Sequence, residues 1–194
     1  LEPFERAFYE RPVATVARDL LGAVLETTID GRVSAVVVVE AEAYGGPEDP
    51  ASHAATRSGV TSRTRGMFGP PGHAYVYRSY GVHWCFNVVT GRDGKGAAVL
   101  VRGGLPLSGE DVMSDRRGAR LPLAAGPGRL AQALGIDVTH YGHDLLQPPV
   151  RLLPGWTVDD ERIGISPRIG ISTSADRPLR CYVRGAPGVS GRPR

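Results

Sequence analysis

One segment of this sequence, the run from Val33 to Glu42, constrains the fold more than any other. Five of the seven residues from Val33 to Val39 are valine, which predicts a buried strand and is too short to span a membrane. Glu40 and Glu42 lie where this strand emerges, and Tyr44 follows. Because strand side chains alternate between faces, these three project to one side, with the glutamates about 6 to 7 Å apart. Burying a carboxylate without partners is costly, so the pattern indicates an ion pair or a catalytic base.

Composition favours one folded domain over residues 1–194, with residues 1–11 and 191–194 peripheral. The chain is 41% hydrophobic, and its 26 glycines and 16 prolines predict many short elements rather than long helices. Only two cysteines are present, which argues against a disulfide scaffold and favours a reducing compartment. With no signal-peptide pattern and no run of 18 apolar residues, we expect a cytoplasmic protein.

Charge is distributed unevenly along the chain. Residues 1–50 carry four basic and ten acidic side chains, a net charge of −6, whereas residues 51–108 carry seven basic and one acidic, a net charge of +6. Residues 168–194 carry six basic and one acidic, a net charge of +5. If these two arginine-rich stretches share a face of the folded protein, they predict a phosphate-binding surface; a solvated basic rim is the alternative.

The pattern of apolar residues predicts a single α+β domain with a curved antiparallel sheet core and short flanking helices. Turn signals place Tyr80 at the tip of a hairpin, and the long polar segment from 45 to 73 is expected to bind a ligand. The helices are expected at Pro12–Leu21, Glu110–Arg117 and Pro127–Gly135. The strands are expected at Ala23–Thr28, Val33–Glu42, Ala74–Tyr80, Val82–Thr90, Ala97–Arg102, Ile163–Ile165, Ile169–Ser172 and Leu179–Arg184.

Glu42 has the position and chemistry of a base that activates water. Arg102, at the end of a later strand, can orient Glu42 and lower its pKa so that it stays ionised. A structural Glu–Arg pair is the alternative interpretation. Glu40 lies deeper in the strand, where ion pairing is the more natural role, although two carboxylates at this spacing also allow glycoside cleavage.

Aromatic residues cluster in the first predicted hairpin, which carries Tyr75, Tyr77, Tyr80 and Trp84 beside several arginines. Such a surface suits base stacking and phosphate binding, whereas packing between strands is the alternative for each tyrosine. The histidines and cysteines do not form pairs at zinc-site spacing, so we expect no metal and no other cofactor. The helix start after Gly126 can receive one phosphate.

The ordered set of motifs over roughly residues 12–190 resembles the alkyladenine, or 3-methyladenine, DNA glycosylase family. The motifs are Glu40-Ala-Glu42-Ala-Tyr44, His53, Arg65-Gly-Met67-Phe68-Gly-Pro-Pro-Gly72, Tyr75-Val-Tyr77, Tyr80-Gly81, Asn87, Arg102, Gly126-Pro-Gly-Arg-Leu130, Arg168-Ile-Gly170 and Tyr182-Val-Arg184-Gly185. The resemblance implies a monofunctional α+β enzyme that flips damaged purines out of duplex DNA and hydrolyses the glycosidic bond. The damage implied is of the 3-methyladenine, 7-methylguanine and hypoxanthine type.

The resemblance also implies roles for individual residues. Glu42 would activate the water that attacks C1′, and Arg102 would position Glu42 and that water. Tyr80 would wedge into the duplex. The base pocket would be formed by Tyr44, His53, Tyr77 and Asn87, with Asn87 opposing the 2-amino group of guanine. The DNA backbone contacts would come from Thr61, Arg63, Arg65 and Arg168.

Two other functions remain open from the residues alone. One is a non-catalytic nucleic-acid-binding module that uses the same basic and aromatic surface. The other is a hydrolase of free nucleosides or glycosides that uses Glu40 and Glu42. As a glycosylase, the protein is expected to act as a monomer on double-stranded DNA that contains damaged purines, with no membrane partner. The resemblance also implies association with the nucleoid if the source is bacterial.

Overall fold

A curled antiparallel sheet forms the body of the protein in a computed structural model that describes residues 1–46, 48–52, 60–61, 64–174 and 176–191. Its strands are β1 Val24–Ile29, β2 Arg32–Tyr44, β3 Ala74–Ser79, β4 His83–Thr90, β5 Ala97–Ser108, β6 Val150–Leu153, β7 Ile163–Ser166 and β8 Arg180–Val183. The main path through the sheet runs β3-β4-β5-β2-β1-β6, and β8 joins β2 to β7. The helices are α1 Arg6–Tyr9, α2 Val13–Asp19, α3 Glu110–Arg117 and α4 Pro127–Leu134. The expected α+β class with a curved antiparallel sheet is confirmed.

Strand β2 is the centre of the sheet. It pairs with β5 along most of its length, while its other edge is shared by β1 near its start and by β8 at Glu40–Glu42. Val33 is exposed, but the valines from Val36 to Val39 are buried on both faces: Val36 and Val38 belong to the main core, and Val37 packs in a smaller cluster with Val24 and Leu153. This two-sided burial explains why the sequence shows a continuous apolar run rather than strict alternation.

Two tight hairpins form where the sequence predicts them. The β1–β2 turn uses Asp30 and Gly31, both with positive φ, as expected for a two-residue turn with Asp-Gly. The β3–β4 turn uses Tyr80 at φ 50° and Gly81 at φ 70°. A tyrosine in the left-handed region is strained. The turn leaves the Tyr80 side chain 90% exposed at its tip.

Several boundaries differ from the sequence-based expectations. Strand β5 continues to Ser108 rather than ending at Arg102, and β6 was not expected. The strand expected over Ile169–Ser172 is wrong, because Ile169 donates its backbone N–H to a glutamate side chain instead of to a strand partner. The expectation that residues 1–11 are peripheral is also wrong, since Tyr9 is fully buried in the main core.

Candidate active site

A cavity of about 640 Å³ opens beside the β3–β4 hairpin, and several of the residues expected at the site line it. The strands β2, β3, β4 and β5 supply one part of its wall, while residues 169–171 and, before β3, Ala51, Ser52, Thr61, Thr64 and Met67 supply another. The expected site residues that line it are Tyr44, Thr61, Tyr77, Tyr80, Asn87 and Arg102. The fold thus brings together side chains that are up to 58 positions apart in the chain, from Tyr44 to Arg102.

Glu42 lies beneath this cavity and is held by three donors. One carboxylate oxygen accepts the backbone N–H of Ile169 at 2.7 Å. The other accepts the Tyr44 hydroxyl at 2.9 Å and an Arg102 N–H at 3.2 Å. All three donor residues line the cavity, although the Glu42 side chain itself has no exposed surface. An ionised carboxylate has about four acceptor sites, and the described residues fill three of those of Glu42.

Glu40 is a structural ion-pair partner, as its depth in the strand predicts. Arg102 donates to it at 3.0 Å and Arg180 at 2.7 Å. Ser190 donates to the same carboxylate through its backbone N–H and its hydroxyl. Two buried carboxylates and two buried guanidiniums therefore balance one another beneath the cavity. Such a network satisfies charges that would be costly to bury alone.

Burial raises the pKa of Glu42 above the ordinary glutamate value. Arg102, the Ile169 N–H and the Tyr44 hydroxyl act in the opposite direction, and the neighbouring Glu40 adds to the rise. Arg102 therefore lowers the pKa of Glu42 as expected, but desolvation outweighs the arginine and the net shift is upward. A raised pKa makes the carboxylate a stronger base than a glutamate in water.

Aromatic rings dominate the wall above the carboxylate. The Tyr75 and Tyr77 rings lie 5.5 Å apart, and burial raises the pKa values of Tyr77 and Tyr44 above the ordinary tyrosine value. Asn87 donates its side-chain amide to the Tyr75 carbonyl at 3.0 Å, which fixes its orientation in the wall. Apolar rings beside a few fixed polar groups are typical of a small-ligand site.

The residues expected to contact a DNA backbone have different outcomes. Arg65 is exposed on a 3-10 turn, and Thr61 lies at the cavity, bonded to Thr64. Arg168 is wrongly expected there, because its guanidinium is buried and donates to Asp49 through both terminal nitrogens. His53 and Arg63 lie outside the described residues.

Some residues of the site have no local signal in the sequence. The Ile169 N–H is a backbone group, which no motif of side chains reveals. Ser190 meets Glu40 across 150 residues of chain, so only the folded sheet brings the two together. Asp49 and Arg180 are charged residues in segments that look like ordinary polar surface, although the charge asymmetry marks both regions.

Two further observations concern metal ligands and helix length. In the described part of the chain, no group of three or more His, Cys, Asp or Glu side chains is placed to hold a metal ion. Among the same residues, every helix is too short or too polar to cross a membrane.

Known proteins match this chain over nearly its whole length. The family model for methylpurine-DNA glycosylase (MPG) matches residues 7–187. A protein of Methanoculleus marisnigri named "Putative 3-methyladenine DNA glycosylase" is 48% identical over 96% of this chain and 97% of its own length. Proteins with the same name from Chlorobaculum parvum and Granulibacter bethesdensis are 45% and 48% identical, over 94% and 95% of this chain and 88% and 85% of their own lengths.

These matches define the class of protein as a DNA glycosylase, a DNA-binding hydrolase of DNA repair. Within that class, the chain belongs to the methylpurine-DNA glycosylase family.

Proposed function

We propose that this glycosylase excises 3-methyladenine and related alkylated or deaminated purines, of the 7-methylguanine and hypoxanthine type, from duplex DNA, with Glu42 as the base. The observation that carries the proposal is the position of Glu42, which lies under an aromatic cavity and is held by Tyr44, Arg102 and the Ile169 N–H. A carboxylate fixed by donors that themselves line the cavity is preorganised toward whatever the cavity receives.

Flipping brings the damaged nucleotide into the cavity. Inside a duplex the glycosidic bond is out of reach of a buried carboxylate, so the base must leave the stack. Tyr80, strained and exposed beside the cavity, is suited to enter the duplex and occupy the space of the flipped base. The rings of Tyr44 and Tyr77 then provide stacking surfaces, and His53 is proposed as a third partner on the resemblance alone.

Hydrolysis of the glycosidic bond requires a general base near the sugar more than a general acid near the purine. N3-alkylated adenine already carries a positive charge, so the electrons of the C1′–N bond pass to a base that leaves as a neutral molecule. The sugar gains oxocarbenium character, which the negative charge of Glu42 stabilises. Glu42 accepts a proton from water as the water oxygen bonds to C1′, and Arg102 keeps the carboxylate in place.

Asn87 is proposed to discriminate against normal guanine. Its side-chain amide is anchored to the Tyr75 carbonyl, so it cannot move away easily when a base enters. The 2-amino group of guanine would meet this fixed side chain, whereas adenine and hypoxanthine carry no such group. 7-Methylguanine carries it as well, but its positive charge weakens the glycosidic bond and so offsets the poorer fit. We also propose that the enzyme acts as a monomer, since a duplex must be able to reach the cavity.

The test is single-turnover release of free base from duplexes that contain 3-methyladenine, 7-methylguanine or hypoxanthine, in the presence of EDTA. Wild type is expected to release base, and Glu42→Gln to bind the same duplexes while excision falls by roughly a thousandfold or more. Glu48→Gln is the matched control, since Glu48 is exposed and pairs loosely with Lys95. Normal turnover by Glu42→Gln would exclude Glu42 as the base, and binding without release by wild type would favour a non-catalytic module.

A further inference from the structure

An ion pair lies directly behind one wall of the cavity. The Arg168 guanidinium stacks on the Tyr44 ring, with its central carbon 4.7 Å from the ring centre. Tyr44 lines the cavity, whereas Arg168 and Asp49 do not. We therefore place the guanidinium on the face of the Tyr44 ring that is turned away from the cavity. Arg168 has no exposed side-chain surface, which places a full positive charge in a desolvated position next to the proposed base pocket.

Asp49 neutralises this charge at short range. Its two carboxylate oxygens accept from Arg168 at 2.6 and 3.0 Å, and Arg168 also donates to the Ala43 carbonyl at 2.8 Å. The backbone N–H groups of Gly45 and Ala51 donate to the same carboxylate. These bonds hold the pKa of Asp49 below its usual range despite its burial, so the carboxylate stays ionised.

The arrangement has an electrostatic consequence for the opposite face of Tyr44. A cation over one face of an aromatic ring draws π-electron density toward itself and leaves the other face less attractive to a second cation. This effect should weaken the stacking of a base that carries a fixed positive charge, and it should hardly change the stacking of a neutral base. A nearby counter-charge cancels most of the field at the distance of a stacked base.

We propose that the Asp49–Arg168 pair sets the charge behind the pocket and thereby the balance between cationic and neutral damaged bases. Arg168 fixes the Tyr44 ring in place, and Asp49 keeps the charge of Arg168 from repelling an alkylated, cationic purine. Both are positioning residues that act through Tyr44. This inference rests on the proposed function, because it assumes that Tyr44 stacks on the flipped base.

The test compares single-turnover excision of 7-methylguanine, which is cationic, with that of hypoxanthine, which is neutral, in matched duplexes. Asp49→Asn keeps the size of the side chain and leaves Arg168 uncompensated, so the ratio of 7-methylguanine to hypoxanthine excision should fall about tenfold. Arg168→Met removes the cation and leaves Asp49 negative, so the same ratio should rise. Combining the two substitutions should return the ratio to within about threefold of wild type.

Opposite changes in this ratio separate charge tuning from loss of structure. A purely structural role would lower both rates together in either variant, and unchanged ratios in folded variants would overturn the proposal. If excision of hypoxanthine is too slow to follow, each variant can be combined with Glu42→Gln. The ratio of its affinities for the 7-methylguanine and hypoxanthine duplexes then replaces the ratio of excision rates. Arg32→Gln is the control, since exposed Arg32 pairs with Asp115 and lies at the end of β2 that is far from Tyr44.

The two proposals fail in different ways. If the wild-type protein releases no base, the proposed function is refuted, and no excision ratio can be compared. A wild type that releases base while both single variants keep the wild-type ratio refutes only the role of the Asp49–Arg168 pair.

Discussion

At the scale of single residues, the site depends on how Glu42 is solvated by the protein. Three donors replace the water that a glutamate would have in solution, yet burial still raises its pKa. The carboxylate must be deprotonated to accept a proton from water. Excision should therefore be lost as the pH falls through the raised pKa of Glu42, at a higher pH than for an ordinary glutamate.

Removing the Tyr44 hydroxyl tests this account. Tyr44→Phe keeps the ring that stacks on Arg168 but loses a hydrogen bond that stabilises the ionised form of Glu42. The acidic limb of the single-turnover rate against pH should then move upward by about one pH unit. Tyr75→Phe, which changes another ring of the same wall, is the control. An acidic limb that stays at the wild-type pH in Tyr44→Phe would show that this hydroxyl does not tune the base.

At the scale of secondary-structure elements, local patterns predicted the hairpins well because their turn residues are neighbours in sequence. Asp30-Gly31 and Tyr80-Gly81 each adopt the positive φ angles that tight turns need. Patterns failed at Ile169, where β-branched residues suggested a strand but the backbone N–H serves Glu42. The prediction that Arg168 contacts the DNA backbone failed because its ion-pair partner, Asp49, is distant in sequence. Local sequence does not distinguish a buried arginine from a solvated one.

The segment from Gly188 to Gly191, called here the C-terminal strap, is an element on which the site depends. Ser190 donates to Glu40, and Arg102 donates to the Ser190 hydroxyl at 3.2 Å. Gly188 packs so closely on β5 that an added Cβ would lie 2.5 Å from the Gly104 carbonyl oxygen. A side chain at position 188 would therefore push the strap away from the ion-pair network.

Gly188→Ala should destabilise the protein by about 2 kcal/mol and reduce excision more than duplex binding, because Arg102 loses a partner that orients it. Thermal melting and single-turnover excision measure the two effects. Pro187→Ala, at an exposed neighbouring position, is the matched control. If Gly188→Ala melts and excises like this control, the strap has no part in holding Arg102.

At the scale of the whole molecule, only part of the basic charge is available to DNA. Arg168 and Arg180, both in the basic stretch 168–194, are buried in ion pairs with acidic residues of the N-terminal segment. The sequence-level asymmetry thus partly reflects an internal match between the acidic first 50 residues and the later arginines. Exposed arginines beside the cavity, such as Arg65 and Arg78, remain the candidates for phosphate contacts.

Salt dependence distinguishes these contacts from neutral surface. Arg65→Gln and Arg78→Gln should each weaken binding to damaged and undamaged duplexes alike, and each should reduce the slope of log affinity against log salt by about 0.9. Arg32→Gln is the control, because Arg32 lies at the opposite end of β2, roughly 40 Å from Tyr44 along an extended strand. A slope that is the same in all three variants and in wild type would place the phosphate contacts elsewhere.

The bond between Glu40 and Ser190 has a consequence for how this protein can be monitored. It joins two residues separated by 150 positions, and the same carboxylate is bonded to Arg102 and Arg180. No fragment that lacks one end of this stretch can assemble the complete network. Base release therefore reports whether the chain is intact. Proteolytic cleavage that detaches the C-terminal strap should abolish excision while most of the sheet stays folded.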